Sequence, residues 1–248
     1  MIIKTLVVGP IMANSFILGC EETLEAAVID PGDEADRILL GLAESSLRLN
    51  FIINTHGHLD HVGANKKLKE ITGAPILIHH LDVPMLNQVA SSAAAWGIAA
   101  DNSPPPDREL EEGDEVNFGN IILKVIHTPG HTPGGISLCT DREVFVGDTL
   151  FAGSIGRTDF PGGSFEMIKK SIQQKLFTLN DDVKVYPGHG PVTTIGEERR
   201  SNPFVGAHAS LAPWSRAARA RAGRRISPAM PCPRRERCGP CCPYLGGR

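Results

Sequence analysis

Short apolar blocks separated by polar turns dominate the first half of the chain, and most of them predict strands. Nearly continuous apolar runs end at turn sequences such as Asp30-Pro31-Gly32. The strands predicted in this half cover residues 2–8, 16–18, 26–29, 51–53 and 75–78. Apolar residues at helical spacing predict helices over 33–45 and 62–72. Residues 81–107 contain an alanine-rich helical piece and end in a proline-rich loop.

The second half repeats this pattern of strands and helices. Its predicted strands cover residues 115–118, 121–126, 136–139, 144–146 and 183–186, and a helix is predicted over 165–179. Gly119-Asn120 lies between two of these strands and predicts a hairpin turn. Strand-rich halves that each carry one or two helices predict an α/β layered sandwich, in which two packed sheets have helices outside.

Charge divides the chain into an acidic body and a basic tail. Residues 1–207 hold 9 Lys and 7 Arg against 27 acids, a net charge of −11. Residues 208–248 hold 9 Arg and one acid, a net charge of +8, which leaves −3 overall. We therefore predict a folded domain over 1–207 and a disordered or artefactual Arg/Pro/Cys-rich tail over 208–248. The acidic body argues against a nucleic-acid partner.

Cysteine content and hydropathy bear on the cellular compartment. The acidic body has only Cys20 and Cys139, too few for a disulfide framework, which favours a reducing compartment. No run approaches the roughly 18–20 apolar residues of a membrane span. The apolar amino terminus carries only one charge, Lys4, and Gly9-Pro10 and Asn14 interrupt it early, a pattern that suits a first strand and hairpin better than a secretory signal. The sequence thus predicts a cytoplasmic protein without a membrane partner.

Four side chains that can ligate metals follow the predicted strand 51–53 within six residues. They are His56, His58, Asp60 and His61, in the pattern H-x-H-x-D-H. Burying several titratable groups without a partner is costly, and a metal removes that cost. Imidazole nitrogen and carboxylate oxygen are ligands that zinc accepts. Four donors within six residues are enough to serve two adjacent ions.

Three further polar side chains follow apolar strands of the second half through glycine-containing turns. They are His131, Asp148 and His189. Ligands of α/β proteins gather at strand ends, so this repeated placement predicts that the three side chains join the same site. His127 lies four residues before His131 and is a second candidate imidazole on that turn.

The chain resembles the metallo-β-lactamase superfamily, and within it the short glyoxalase II-like hydrolases, over about residues 1–205. The resemblance depends on five motifs in family order: H-G-H-L-D-H, H-T-P-G-H-T-P-G, V-G-D-T-L-F, G-R-T-D-F-P-G-G and Y-P-G-H-G-P. It implies an αββα four-layer sandwich. The metal ligands it implies are His56, His58 and His131 for a first ion, Asp60, His61 and His189 for a second, and Asp148 as the bridge.

The resemblance also implies a reaction. Two divalent ions, zinc before iron or manganese, would share a water and lower its pKa towards about 7. Asp60 and Asp148 would be the catalytic carboxylates of a hydrolase that cleaves small thioesters such as hydroxyacyl-glutathione. Arg157 would face the carboxylates of that substrate, or else pair with Asp159 to shape its loop. No segment resembles the helical domain of full-length glyoxalase II, which leaves the thiol specificity open.

Other functions compete with this hypothesis. A persulfide dioxygenase with a single iron shares the residues around Arg157. A non-enzymatic metal-bound scaffold would engage a partner through the basic tail. A β-lactamase is less favoured because Asp148 stands where a cysteine is common in that branch.

Overall fold

Residues 1–95 and 97–210 are described by the structure, a computed structural model. Within them, the strands form two six-stranded sheets and one small hairpin. The first sheet contains, in spatial order, β1 (Ile2–Val8), β2 (Ala13–Gly19), β3 (Glu25–Ile29), β4 (Arg48–Ile53), β5 (Ile76–His79) and β6 (Arg108–Leu110). The predicted basic tail lies outside the described residues from residue 211 onwards.

The second sheet is built from the other half of the chain. In chain order its strands are β7 (Glu115–Phe118), β8 (Ile121–His127), β9 (Ile136–Cys139), β10 (Glu143–Gly147), β13 (Lys184–Pro187) and β14 (Thr193–Thr194). The spatial order is β14-β13-β10-β9-β8-β7. The strands β11 (Leu150–Phe151) and β12 (Ser154–Ile155) form a separate two-stranded sheet.

Helices cover the outer faces of both sheets. They are α1 (Ala35–Glu44), α2 (Leu59–Val62), α3 (Asn65–Thr72), α4 (Val83–Leu86), α5 (Val89–Ala95), α6 (Phe165–Gln174) and α7 (Ile195–Ser201), with 3-10 turns at His80–Asp82 and Leu176–Thr178. Ile38 of α1 and Leu68 of α3 pack on the first sheet. Ile172 of α6 and Ile195 of α7 pack on the second sheet.

A third apolar layer lies between the two sheets. Phe16, Ile53 and Leu77 of the first sheet meet Leu123 and Phe145 of the second, and all five are buried. Helices, sheet, sheet and helices therefore form four layers, and the predicted αββα sandwich is confirmed. No helix in the described part of the chain is both long and apolar enough to cross a membrane.

Two predicted helices differ from the observed ones. The helix predicted over 62–72 begins instead at Asn65, as α3, and the separate short helix α2 ends at Val62. Between them, Ala64 N–H donates to Pro31 O at 2.9 Å instead of continuing a helical ladder. A Cβ on Gly63 would meet the carbonyl oxygen of Gly32, so the turn after β3 presses against this junction. The helix predicted over 165–179 ends at Gln174 and continues as a 3-10 turn.

Parallel pairing directs several strand ends to one edge of the molecule. Strands β3, β4 and β5 are parallel to one another, as are β10 and β13. Backbone hydrogen bonds join the two sheets at this edge, from Asn14 N to Gly188 O at 2.7 Å and from Ile136 N to Thr55 O at 2.8 Å. The loops that follow these strands are therefore held together by the sheets themselves.

Substitutions at two neighbouring residues of β8 test whether the apolar layer between the sheets stabilises the fold. Leu123 is fully buried in this layer, whereas the adjacent Ile122 is 50% exposed on the other face. We expect Leu123→Ala to lower the free energy of unfolding by about 2–5 kcal/mol, because it leaves a cavity. Ile122→Ala should change it by about 0.5 kcal/mol or less. Urea denaturation measures both, and equal losses would contradict the proposed layer.

Candidate metal centre

The loops at this edge bring all seven predicted ligands together. His56 and His58 follow β4, and His58 is the N-cap residue of α2, which carries Asp60 and His61. The other three follow strands of the second sheet: His131 after β8, Asp148 after β10 and His189 after β13. The ligands therefore come from both sheets, at the carboxyl ends of their strands.

His56, His58 and His131 form the first triad. Their ligand nitrogens lie within 4.8 Å of one another. His131 Nε2 lies 2.9 Å from His58 Nδ1, and His56 and His131 are buried. Three convergent imidazoles of this kind suit a divalent ion with a position left open for water or substrate.

Asp60, His61 and His189 form the second triad. Their ligand atoms also lie within 4.8 Å of one another. Asp60 Oδ2 lies 3.6 Å from His61 Nε2 and 3.2 Å from His189 Nε2. The second triad therefore offers two imidazoles and one carboxylate, a donor set that zinc, iron and manganese all accept.

The carboxylate of Asp148 lies between the two triads. Its Oδ1 is 3.6 Å from His61 Nε2, and its Oδ2 is 3.6 Å from His131 Nε2 and 3.7 Å from His189 Nε2. One oxygen thus faces the second triad, and the other faces both triads. This is the placement that a bridging ligand between two ions requires.

Buried atoms without hydrogen-bond partners show that these residues fit a metal. Among the described residues, they include His56 Nε2, His61 Nε2 and Asp148 Oδ1, all aimed into the site. Unpartnered polar atoms of this kind cost free energy when buried. Divalent cations would satisfy these lone pairs, so the donor set fits the metals that the motifs imply.

The opposite ring nitrogens of the imidazoles are held from outside the site. His131 Nδ1 lies 2.8 Å from Arg157 O, and His189 Nδ1 lies 3.2 Å from Met12 O. His56 Nδ1 lies 3.1 Å from the hydroxyl of Thr55. Such contacts fix the tautomer and the ring orientation, and leave Nε2 of these rings as the ligand atom.

Asp30 follows β3 directly and contacts residues of the site. Its sequence pattern predicts only a turn. Asp30 is fully buried, with Oδ1 accepting from Thr55 N at 2.7 Å and Oδ2 from the Thr55 hydroxyl at 2.6 Å. His61 Nδ1 lies 3.1 Å from the same Oδ2. Asp30, His56 and His61 form a third cluster of side chains that can ligate metals. The oxygens of Asp30 already accept from Thr55 and contact His61, so we assign Asp30 to positioning these residues. A lone Asp directly after an apolar strand is the signal that could have revealed it.

The pKa values of two neighbouring imidazoles in the site are shifted in opposite directions. Burial and the neighbouring imidazole of His131 lower the pKa of His58 to about 3. Burial also lowers the pKa of His61, but the surrounding carboxylates, Asp60 foremost, outweigh it and raise this pKa to about 10. Because a metal ligand must be the unprotonated imidazole, a cation that binds at His61 competes with a proton.

Arg157 lies at the margin of the first triad. Its Nε and Nη2 each donate to a carboxylate oxygen of Asp159 at 2.8 Å, and its guanidinium lies 3.7 Å from the ring centroid of Phe160. The Phe160 ring is in turn 5.6 Å from that of His58. The ion pair that the sequence analysis leaves open is thus present, beside a ring that packs on a predicted ligand.

The sequence model of the metallo-beta-lactamase superfamily matches residues 8–189. This match spans more than half of the chain and includes every predicted ligand, so the chain belongs to the metallo-β-lactamase superfamily. Membership supports a metal-dependent enzyme, as the motifs predict.

Two relatives have names that indicate an activity. Hydroxyacylglutathione hydrolase GloC of Haemophilus influenzae is 41% identical over 189 residues, which cover 75% of this chain and 89% of GloC. Human mitochondrial persulfide dioxygenase ETHE1 is 34% identical over 197 residues, which cover 76% of this chain and 70% of ETHE1. The relatives therefore include both of the enzyme classes that the sequence analysis compares.

Two solved structures share the fold over nearly their whole length. The BLEG-1 B3 metallo-beta-lactamase matches with a TM-score of 0.77 and 34% identity, covering 82% of this chain and 99% of its own. TTHA1623 in a di-iron-bound form matches with a TM-score of 0.75 and 39% identity, covering 81% and 99%. The di-iron neighbour supports divalent metals at a site of this kind.

Replacing Asp30 tests how much the outer contacts contribute to metal binding. Asp30→Asn keeps the size of the side chain but turns an amide N–H₂ towards at least one of its present donors. We expect at least one ion to bind about 10–100-fold more weakly, because outer contacts of this kind orient the ligands. Competition titration with a chromophoric chelator measures the affinity.

The matched control is Asp36→Asn, because Asp36 is 81% exposed on α1 and pairs with Lys67. This control should leave both affinities unchanged. Unaltered metal binding in Asp30→Asn would show that Asp30 does not orient the ligands.

Proposed function

We propose that the chain is a dinuclear metal-dependent hydrolase that cleaves small thioesters, with hydroxyacyl-glutathione as the model substrate. The observation that carries this proposal is the pair of triads with the Asp148 carboxylate between them. Summed charge favours two ions, because Asp60 and Asp148 leave a single divalent ion little excess positive charge for binding a nucleophile. Zinc is the ion that we propose first, with iron and manganese compatible with the same donors.

The roles of the ligands follow from their positions. The first triad would hold one ion, the second triad the other, and Asp148 would lie between them. When bound, two divalent ions would lower the pKa of a water and polarise the substrate carbonyl. The carboxylates of Asp148 and Asp60 would orient that water, and the outer contacts of the imidazoles would keep the ligand atoms in place.

The proposed thioester substrate is supported by the similarity to GloC, a hydroxyacylglutathione hydrolase. We propose that Arg157 contributes to recognition of an anionic thiol portion. Its guanidinium is 38% exposed and its partner Asp159 is 45% exposed, so a substrate carboxylate can compete for the same donors. A cytoplasmic location and a glutathione conjugate as the small-molecule partner belong to the same proposal.

A persulfide dioxygenase is the second candidate, favoured by the 34% identity to ETHE1. That activity would use one iron and dioxygen, so metal content and product separate it from hydrolysis. The similarity to BLEG-1, named as a B3 metallo-beta-lactamase, keeps a penicillin among the substrates to be tested.

Metal analysis combined with a substrate panel tests the function. The panel contains lactoyl-glutathione, a neutral thioester, a penicillin and glutathione persulfide. We expect about two ions per chain and thioester hydrolysis as the fastest reaction. Asp148→Ala should bind fewer ions and lower kcat at least 100-fold, a loss of about 2.7 kcal/mol of transition-state stabilisation.

Asp141→Ala, an exposed carboxylate on the turn before β10, is the matched control and should behave as the unaltered chain. Full activity with a single ion would contradict the dinuclear proposal. Oxygen-dependent turnover of the persulfide as the fastest reaction would favour the second candidate.

Arg157→Ala tests the proposed recognition of the substrate. Because the Arg157 contact with His131 uses the backbone carbonyl, the substitution leaves that contact available. We expect a raised KM for anionic glutathione thioesters, little change in kcat, and no effect on a neutral thioester. Steady-state kinetics with both substrates measures the difference. Equal damage to both would assign Arg157 to shaping its loop.

A further inference from the structure

One buried carboxylate outside the two triads accepts hydrogen bonds from both of the loops that carry the first triad. Asp82 closes the 3-10 turn after β5 and is fully buried. Its Oδ2 accepts from Gly57 N at 3.1 Å and from the Thr132 hydroxyl at 2.7 Å, and its Oδ1 accepts from Gly134 N at 2.6 Å. Three donors therefore converge on a single side chain.

These donors lie directly beside the ligands of the first triad. Gly57 separates His56 from His58, on the loop that follows β4 of the first sheet. Thr132 follows His131, on the loop between β8 and β9 of the second sheet. Asp82 thus joins two ligand loops that belong to different sheets, and each hydrogen bond is strengthened by the charge of the acceptor.

The glycines of these loops allow the contact. A Cβ on Gly134 would lie 2.7 Å from the backbone nitrogen and from Oδ1 of Asp82. A Cβ on Gly57 would lie 2.7 Å from Met85 Cβ and 3.0 Å from Asp82 O. Neither position has space for a side chain while the Asp82 turn keeps its place. The close approach of this turn therefore explains why glycine stands at position 57, in H-G-H, and at position 134, in the second T-P-G.

We propose that Asp82 is a positioning residue for the first ion, setting the spacing of His56, His58 and His131 through the backbones of their two loops. This inference rests on the proposed function, since it concerns metal binding by the first triad. The second triad is held by other contacts, those of His61 with Asp30 and of His189 with Met12 O. Loss of the Asp82 carboxylate should therefore weaken one ion more than the other.

A buried carboxylate elsewhere supplies a matched control for a purely structural role. Glu198 is 2% exposed and also accepts from a backbone N–H, a hydroxyl and a third donor. Its partners are Gly153 N at 2.9 Å, the Thr193 hydroxyl at 2.8 Å and Asn202 Nδ2 at 2.8 Å. None of these partners lies within three residues of a predicted ligand.

The experiment compares Asp82→Asn and Glu198→Gln in the full chain. An amide has one acceptor oxygen, so Asp82→Asn must turn its N–H₂ towards Gly134 N–H or towards the other two donors. Thermal denaturation should show that both variants are destabilised. Cobalt titration, followed by the electronic absorption of the bound ion, should show one ion weakened about 10–100-fold in Asp82→Asn, with an altered spectrum. Glu198→Gln should keep the affinities and spectrum of the unaltered chain.

Thr132→Val is the second variant, and it decides the question if Asp82→Asn does not fold. It removes one of the three donors, so the same ion should bind roughly 2–10-fold more weakly. Unchanged affinities and spectra in Asp82→Asn, or an equal weakening in Glu198→Gln, would overturn the role of Asp82. An unaltered chain that binds no cobalt would instead overturn the proposed function.

Discussion

The main constraint on this structure is a set of buried polar atoms without hydrogen-bond partners, which face one another at the edge where the two sheets meet. His56 Nε2, His61 Nε2 and Asp148 Oδ1 have no hydrogen-bond partner within the described residues, and three carboxylates lie within reach of His61. Such a cluster is unfavourable by itself, so other contacts must hold it in place until a cation satisfies it. The backbone bonds that join the sheets at this edge, from Asn14 to Gly188 and from Ile136 to Thr55, provide part of that constraint.

The parallel pairing of β3, β4 and β5 provides another part of the constraint that holds this cluster in place. The central strand, β4, leads into the H-x-H-x-D-H loop, and each of its neighbours is followed by a buried aspartate, Asp30 after β3 and Asp82 in the turn after β5. Asp30 contacts the loop through Thr55 and His61, whereas Asp82 contacts it through Gly57. Because parallel strands end at the same edge, both carboxylates reach the loop from its two sides. An antiparallel neighbour would deliver its carboxyl end to the opposite edge of the sheet.

Features that depend on local pattern can be predicted from this sequence. Apolar blocks indicate the long strands, and motif order indicates the predicted ligands, because both are carried by contiguous residues. The roles of Asp30 and Asp82 cannot be found in this way, since their contacts are with donors 25 to 52 positions away along the chain. Strands β6, β11, β12 and β14 have two or three residues each, too few for a period to be visible. The break between α2 and α3 is likewise non-local, because Pro31 supplies the acceptor that ends the helical ladder.

Proteins named as a hydroxyacylglutathione hydrolase, a persulfide dioxygenase and a B3 metallo-beta-lactamase are all similar to this chain, so the fold alone does not select a substrate. Selection is left to side chains beside the site that are not predicted metal ligands. Arg157 has this property, because its carbonyl oxygen contacts His131 while its side chain pairs with Asp159 and covers Phe160. The backbone contact does not depend on which side chain stands at position 157. A substitution at position 157 would therefore alter the proposed recognition of the substrate and retain the orientation of the His131 ring.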